Sequence, residues 1–190
     1  ILGTSTGGPA ALKAVCPKLP ADFPVPIFVV QHMPPKYTHS LAQRLNDICP
    51  LDVVEATDRV AVVAGRILIA PGGRQMKLQR AGESVVVRVN DDPIENGVRP
   101  SVDYFLRSAV EVFHGNALAV IMTGMGSDGL IGSVQLKEAG GFVFSQSPDD
   151  CVVYGMPKAV VARGLADRIL PLAKIAPAIV RHVKRSRRTS

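Results

Sequence analysis

Cysteine is scarce in this sequence: Cys16, Cys49 and Cys151 are the only three, and they lie far apart. An odd, scattered set gives neither a disulfide framework nor a metal-ligand spacing. A reducing, cytoplasmic setting fits such a set. Long apolar runs are also missing. Ala117–Met122 is among the longest, far short of the ~18 residues that cross a bilayer, so membrane insertion is not expected. A basic-apolar leader and an initiator Met are absent too. Only Ile1 and Leu2 precede a glycine-rich turn, whereas a strand normally takes about five residues. A truncated first strand, in a piece of a longer protein, is the expectation. The sequence shows no internal repeat and no internal linker.

What is present describes one domain. The chain has 190 residues, 47% of them hydrophobic and 20% charged, enough to bury a full core. Four of the cations behind its +6 net charge sit in the last seven residues, Lys184–Ser190, with no anion among them. The remainder is therefore only +2, which weakens a nucleic-acid partner inferred from pI alone. Residues 184–190 read as a basic tail.

Extended apolar runs alternate with helical stretches, which predicts a doubly wound α/β fold. It has a mostly parallel sheet, helices on both faces and a small antiparallel hairpin. Pro9 suits the first turn of a helix through Ala11, Leu12 and Val15 that Pro17 stops. Pro26–Gln31 is a buried strand, and Thr38 is expected to cap the next helix. Val53–Ala56 and Arg66–Ala70 are strands, and Gln75–Arg80 with Ser84–Val89 form the hairpin. Asn90–Pro100 is a polar loop, and Ser101 caps a helix whose stripe is Val102, Phe105, Leu106 and Val110. Leu118–Thr123 is the clearest central strand, followed by a helix that ends at Gly140-Gly141. Phe142–Phe144, a helix from Pro157, a strand at Arg168–Leu170 and a last helix complete the chain.

In such sheets ligands bind beyond the carboxyl ends of the strands. Ser5 follows the first strand, His32 follows Pro26–Gln31, and Asp128 lies in the turn after Leu118–Thr123. All three are therefore expected at one edge. A hydroxyl, an imidazole base and an orienting carboxylate are what a serine nucleophile needs, with Ser5 Oγ in reach of His32 Nε2. Gly3–Gly7 reads G-x-S-x-G, a sharp turn that exposes a serine before a helix whose amides favour an anion. A plainer role for Ser5 is to cap that helix. His32 is followed by a stiff Pro34-Pro35 segment, whereas His39, His114 and His182 are less well placed. The chain order Ser, His, Asp departs from the familiar serine-hydrolase orders, and an ordinary α/β-hydrolase would need its histidine last.

A rival reading comes from Gly124, Gly126 and Gly129, which spell the dinucleotide-binding G-x-G-x-x-G between a strand and a helix. The ribose-binding acid should then end the following strand, but Asp149 and Asp150 fall in the loop beyond it. The plain role for Asp128 is as an anion at the start of the helix that follows it.

Six motifs occur in order: GTSTGGP at Gly3–Pro9, QHMPP at Gln31–Pro35, LIAPGG at Leu68–Gly73, RPSVD at Arg99–Asp103, MTGMGSDG at Met122–Gly129, and VYGMPKA at Val153–Ala159. Together they resemble the catalytic domain of the chemotaxis receptor methylesterases, the CheB family, as far as about Leu172. The resemblance implies Ser5 as nucleophile, His32 as base and Asp128 as its orienting acid, with the Met125 amide stabilising an oxyanion and Thr6 in the site. It implies no metal and no cofactor. It further implies methylated chemotaxis receptors as substrates, glutamine deamidation as a second reaction, and an N-terminal receiver domain as a regulatory partner. Thr4 stands where alanine is usual, Ser127 where asparagine or alanine is common, and the end is richer in Lys and Arg. The loops 90–100 and 148–153, with Arg99 and Cys151, are expected at the substrate rim, with Cys151 serving as a small buried residue.

Overall fold

The computed structural model describes residues 1–186. Nine strands and six helices follow one another as β1 (Leu2–Thr4), α1 (Gly8–Val15), β2 (Ile27–Gln31), α2 (Tyr37–Asn46), β3 (Asp52–Glu55), β4 (Arg66–Ile69), β5 (Gln75–Ala81), β6 (Ser84–Asn90), α3 (Val102–Phe113), β7 (Leu118–Ile121), α4 (Leu130–Glu138), β8 (Phe142–Gln146), α5 (Met156–Ala162), β9 (Arg168–Leu170) and α6 (Leu172–Ser186). Seven strands form one sheet in the order β3-β4-β2-β1-β7-β8-β9. Every pair in it is parallel. The hairpin β5–β6 stands apart as a two-stranded antiparallel sheet.

The burial pattern explains why the sheet needs cover on both sides. Along β2, Ile27 and Val29 face one layer while Phe28 and Val30 face the other, and Ile67/Ile69 and Leu68 divide β4 in the same way. The first layer is closed by α1, α2 and α6 through Leu12, Val15, Leu45, Ile175 and Ile179. The second is closed by α3, α4, α5 and the hairpin through Phe105, Leu106, Leu136, Val160, Met76 and Val87. Burying each such side chain contributes about 1.5–3 kcal/mol.

The strand order fixes the place of the site. From central β1 the chain winds outward to β2 on one side, and later returns to place β7 on the other. Such a reversal opens a crevice at the carboxyl end of β1, where Ser5 lies.

Two local expectations differ from the structure. Thr38 does not cap α2; it lies inside that helix, and its buried hydroxyl donates to Glu55 and accepts the Gly72 amide at 2.9 Å. The loop 90–100 contains an antiparallel bridge between Glu95 and Val98 that its polar composition concealed. Of the basic tail, Lys184 and Arg185 belong to α6, and residues 187–190 lie outside the described residues.

Candidate active site

Ser5, His32 and Asp128 leave three neighbouring strands on the same side of the sheet. Thr4 pairs with Gln31 in the β1–β2 register, so Ser5 and His32 are the next residues out on adjacent strands. The His32 amide still donates to the Thr4 carbonyl at 3.0 Å, and the Ser5 amide donates to the Thr123 carbonyl beyond β7 at 3.0 Å. The serine's backbone is thus tied to both neighbouring strand exits.

Gln31 buckles these exits together, a role the sequence did not announce. Buried at the end of β2, its Nε2 donates to the carbonyls of Ser5 (3.0 Å) and His32 (2.9 Å), while its Oε1 accepts the Thr4 hydroxyl at 2.7 Å. Thr4, unusual for the family it resembles, therefore has a buried partner. The capping role for Ser5 is not what the structure shows: Gly7 is the N-cap of α1, and no side chain caps that end.

The His32 ring is settled by Asp128. Nε2 lies 2.7 Å from Asp128 Oδ2, and both side chains are nearly buried. The nitrogen expected to face the serine is therefore the one that meets the carboxylate, which leaves Nδ1 as the ring atom available to Ser5. Among the described residues the Ser5 hydroxyl makes no hydrogen bond. Such bonds are commonly loose without substrate and tighten when it binds.

Asp128 precedes α4 but binds the start of α3 instead. Its Oδ2 accepts the Val102 amide at 2.6 Å, and its Oδ1 accepts the Asp103 amide (3.1 Å), the Ser101 hydroxyl (2.8 Å) and Asn96 Nδ2 (2.8 Å). Burial alone pushes this carboxyl up. The His32 bond, the two helix amides and the Ser101 hydroxyl more than offset it and bring the group down to about 2. Ser101 does cap α3 as expected, accepting the Tyr104 amide at 3.3 Å.

The turn after β7 is held by the segment before α5. Gly124 donates to the Val153 carbonyl and accepts from Gly155 and Met156. Next along, Met125 is 73% exposed. The amides of Thr6 and Met125 donate to no protein acceptor among the described residues. Thr6 follows Ser5 directly, and Met125 follows the Gly124 that packs against it.

The rim residues divide. Arg99 lines an open cleft of about 280 Å³ with His32, Met33, Pro34, Pro35, Gly73 and Val98. Its guanidinium also donates to the carbonyls of Asp91 (3.2 Å) and Asp92 (3.3 Å) within its own loop. Cys151 is half-buried, and burial together with Asp150 pushes its thiol up to about 11. It is therefore a poor nucleophile at neutral pH.

The dinucleotide reading finds no support. The ribose-binding acid it requires should end β8, but that strand ends at Gln146, and Asp149 and Asp150 beyond it are engaged by Ser147, Gln146 and the Leu172 amide.

Fold and site together define a doubly wound α/β domain with the layout of a serine hydrolase, in which a nucleophile candidate ends the central strand beside a buried His–Asp pair. The chain belongs to the CheB methylesterase family, whose model matches residues 1–179. It is 49% identical over 186 residues to the protein-glutamate methylesterase/protein-glutamine glutaminase of Desulfotalea psychrophila, covering 97% of this chain and 51% of that protein. The protein of the same description from Desulfitobacterium hafniense is 47% identical over 185 residues, with 97% and 47% covered. The chain thus spans about half the length of these relatives. The crystal structure of the Thermotoga maritima CheB methylesterase catalytic domain superposes with a TM-score of 0.93 at 43% identity, covering 95% of both chains.

Proposed function

We propose that this chain is a catalytic domain that hydrolyses methyl esters on glutamate side chains of chemotaxis receptors. Ser5 attacks the ester carbonyl as its proton passes to His32 Nδ1, and Asp128 favours the imidazolium so formed. The tetrahedral oxyanion is held by the Thr6 and Met125 amides; one such donor is typically worth ~10²–10³ in rate. His32 then returns the proton to the departing methoxide. Methanol leaves, and water attacks the acyl-serine by the same route to release glutamate. A glutamine side chain enters the same cycle with ammonia as leaving group. The relatives' description names both reactions.

The observation that carries this reading is the 2.7 Å bond between His32 and Asp128, one residue past the strand paired with that of Ser5. A substrate carried on another protein's surface needs an open site, and the cleft beside His32 is open. Arg99 at that cleft and Cys151 in the loop before Val153 belong to its rim, Cys151 as packing. A receiver domain, where the longer relatives exceed this chain, is the regulatory partner we expect. The cytoplasmic face of a membrane receptor is the place of action; no helix among the described residues is long and apolar enough to cross a membrane.

The test is methanol release from membranes bearing radiolabelled methyl-esterified receptors. Ser5→Ala should abolish it, and a serine-directed phosphonate should label the parent protein at Ser5 alone. Full turnover by Ser5→Ala would end the proposal.

A further inference from the structure

The tip of the loop before α3 is a two-residue turn. Glu95 and Val98 exchange backbone hydrogen bonds of 3.2 and 3.0 Å, and both residues between them, Asn96 (φ 54°) and Gly97 (φ 73°), are left-handed. Asn-Gly is the pair that such a turn favours. It is fastened to α3 by Arg107, whose Nη2 lies 2.6 Å from Glu95 Oε2. So held, the turn leaves Asn96 exposed as a residue but aims its amide at the site, where Nδ2 lies 2.7 Å from Asp103 Oδ2 and 2.8 Å from Asp128 Oδ1. One amide nitrogen carries two protons, and here each goes to a different buried carboxylate.

Asp103 needs that donor. It is 1% exposed, and its other oxygen accepts the Gly132 amide at 2.7 Å. Burial foremost, with the Asp128 and Glu95 charges, raises its carboxyl to about 6, against the Gly132 amide and Asn96. The charged and titratable groups around the pair are Glu95 on the turn, Arg107 on α3, and His32 beyond β2. Two carboxylates this close without a donor between them favour holding one proton in common. A proton on Asp128 would remove the charge that orients His32.

We propose that Asn96 is a positioning residue for this site: its amide separates Asp128 from Asp103, keeping the Asp128 carboxylate charged and aimed at His32. This rests on the hydrolase reading of Ser5, His32 and Asp128. It also ties the loop at the rim of the cleft to the orientation of the base.

Two substitutions isolate the side chain from the turn. Asn96→Gly keeps the left-handed backbone at no steric cost and deletes the amide. Asn96→Asp keeps shape and turn preference but replaces the donor by a carboxylate, which donates only when protonated. Methanol release from methyl-esterified receptor membranes is measured from pH 5.5 to 9, with thermal melting alongside. Asn96→Gly should lose about tenfold or more in kcat, the worth of one hydrogen bond to a charged group, with KM within about twofold. The ratio of Asn96→Asp to parent kcat should climb as pH falls, because a structural defect alone gives a flat ratio. Parental kcat in Asn96→Gly overturns the proposal. Should Asn96→Gly melt far below the parent, the Asn96→Asp ratio decides, and a flat ratio overturns it. Ser5→Ala runs in parallel: if it retains turnover, the hydrolase reading fails, whereas an inactive Ser5→Ala with parental Asn96→Gly removes only the role of Asn96.

Discussion

Gly124 lies flat against Ser5. A methyl group on Gly124 would come within 2.7 Å of Ser5 Cβ and 3.1 Å of its amide nitrogen, and would also strike the sulfur of Met156. The glycine is therefore required by the serine, two strands' exits meeting with no room for a side chain between them.

Gly124→Ala should accordingly displace the nucleophile. Overpacking of this kind costs about 1–3 kcal/mol of stability, and a shift of about 1 Å in a reacting group lowers the rate by up to ~10²-fold. Urea melts and methanol release on the same preparation check both effects. Parental turnover would show that the turn relaxes without moving Ser5.

Asp128→Asn should be far more damaging to turnover than its size suggests. An asparagine presents one acceptor oxygen where five donors now converge, from His32, Val102, Asp103, Ser101 and Asn96. Each buried donor left without a partner costs about 1–3 kcal/mol. The loss of the charge behind the imidazole costs ~10⁴ in kcat where the same change has been made in a triad. The milder Ser101→Ala removes one donor and the α3 cap together, and should cost ~1 kcal/mol in a thermal melt.

The sheet was legible because β-type runs such as Ile27–Gln31 and Leu118–Ile121 are apolar on both faces and bounded by turn residues. The triad candidates were legible from their places after strands: His32 directly follows one such run, Ser5 follows the short β1, and Asp128 lies in the turn after another. What stayed hidden were the residues whose role depends on side-chain reach. Gln31 read as the last residue of a strand, but in parallel register it spans to the next strand's exit. Asn96 read as part of a polar loop, and its Asn-Gly pair, a known hairpin signal, had no flanking strands to make it stand out. For Asp128 the bonds to α3 stayed hidden: beside its place as the orienting acid, its plainer role was at the helix it precedes, and sequence proximity cannot reveal that α3 points its first amides into the same crevice.

Cys151 offers a control. With its thiol pushed up to about 11, it is almost wholly protonated at neutral pH and slow to react. Cys151→Ser should keep kcat within about twofold of the parent, and iodoacetamide at pH 7 should spare methanol release. Rapid inactivation by that reagent, absent in Cys151→Ser, would place the thiol closer to the chemistry than its surroundings imply.

The two carboxylates that share Asn96 should give the stability curve two opposite slopes. Asp103 sits at about 6 in the folded protein against an ordinary 3.8. A raised acid is stabilising when protonated, so its contribution is full below about 3.8 and lost as pH rises through about 6. Asp128, held at about 2 against 3.8, has the reverse sign: its contribution is full above about 3.8 and lost as pH falls toward 2. Melting temperatures of the parent and of Asp103→Asn, taken at intervals from pH 7 to 4, separate the first effect. Across that window the difference should move in the parent's favour as acid is added, because only the parent gains by taking up a proton. Between pH 4 and 2 the advantage of the parent over Asp128→Asn should shrink instead. A parent-to-Asp103→Asn difference that stays constant from pH 7 to 4 would mean that Asp103 is ionised throughout, with its charge met by Asn96 and the Gly132 amide alone.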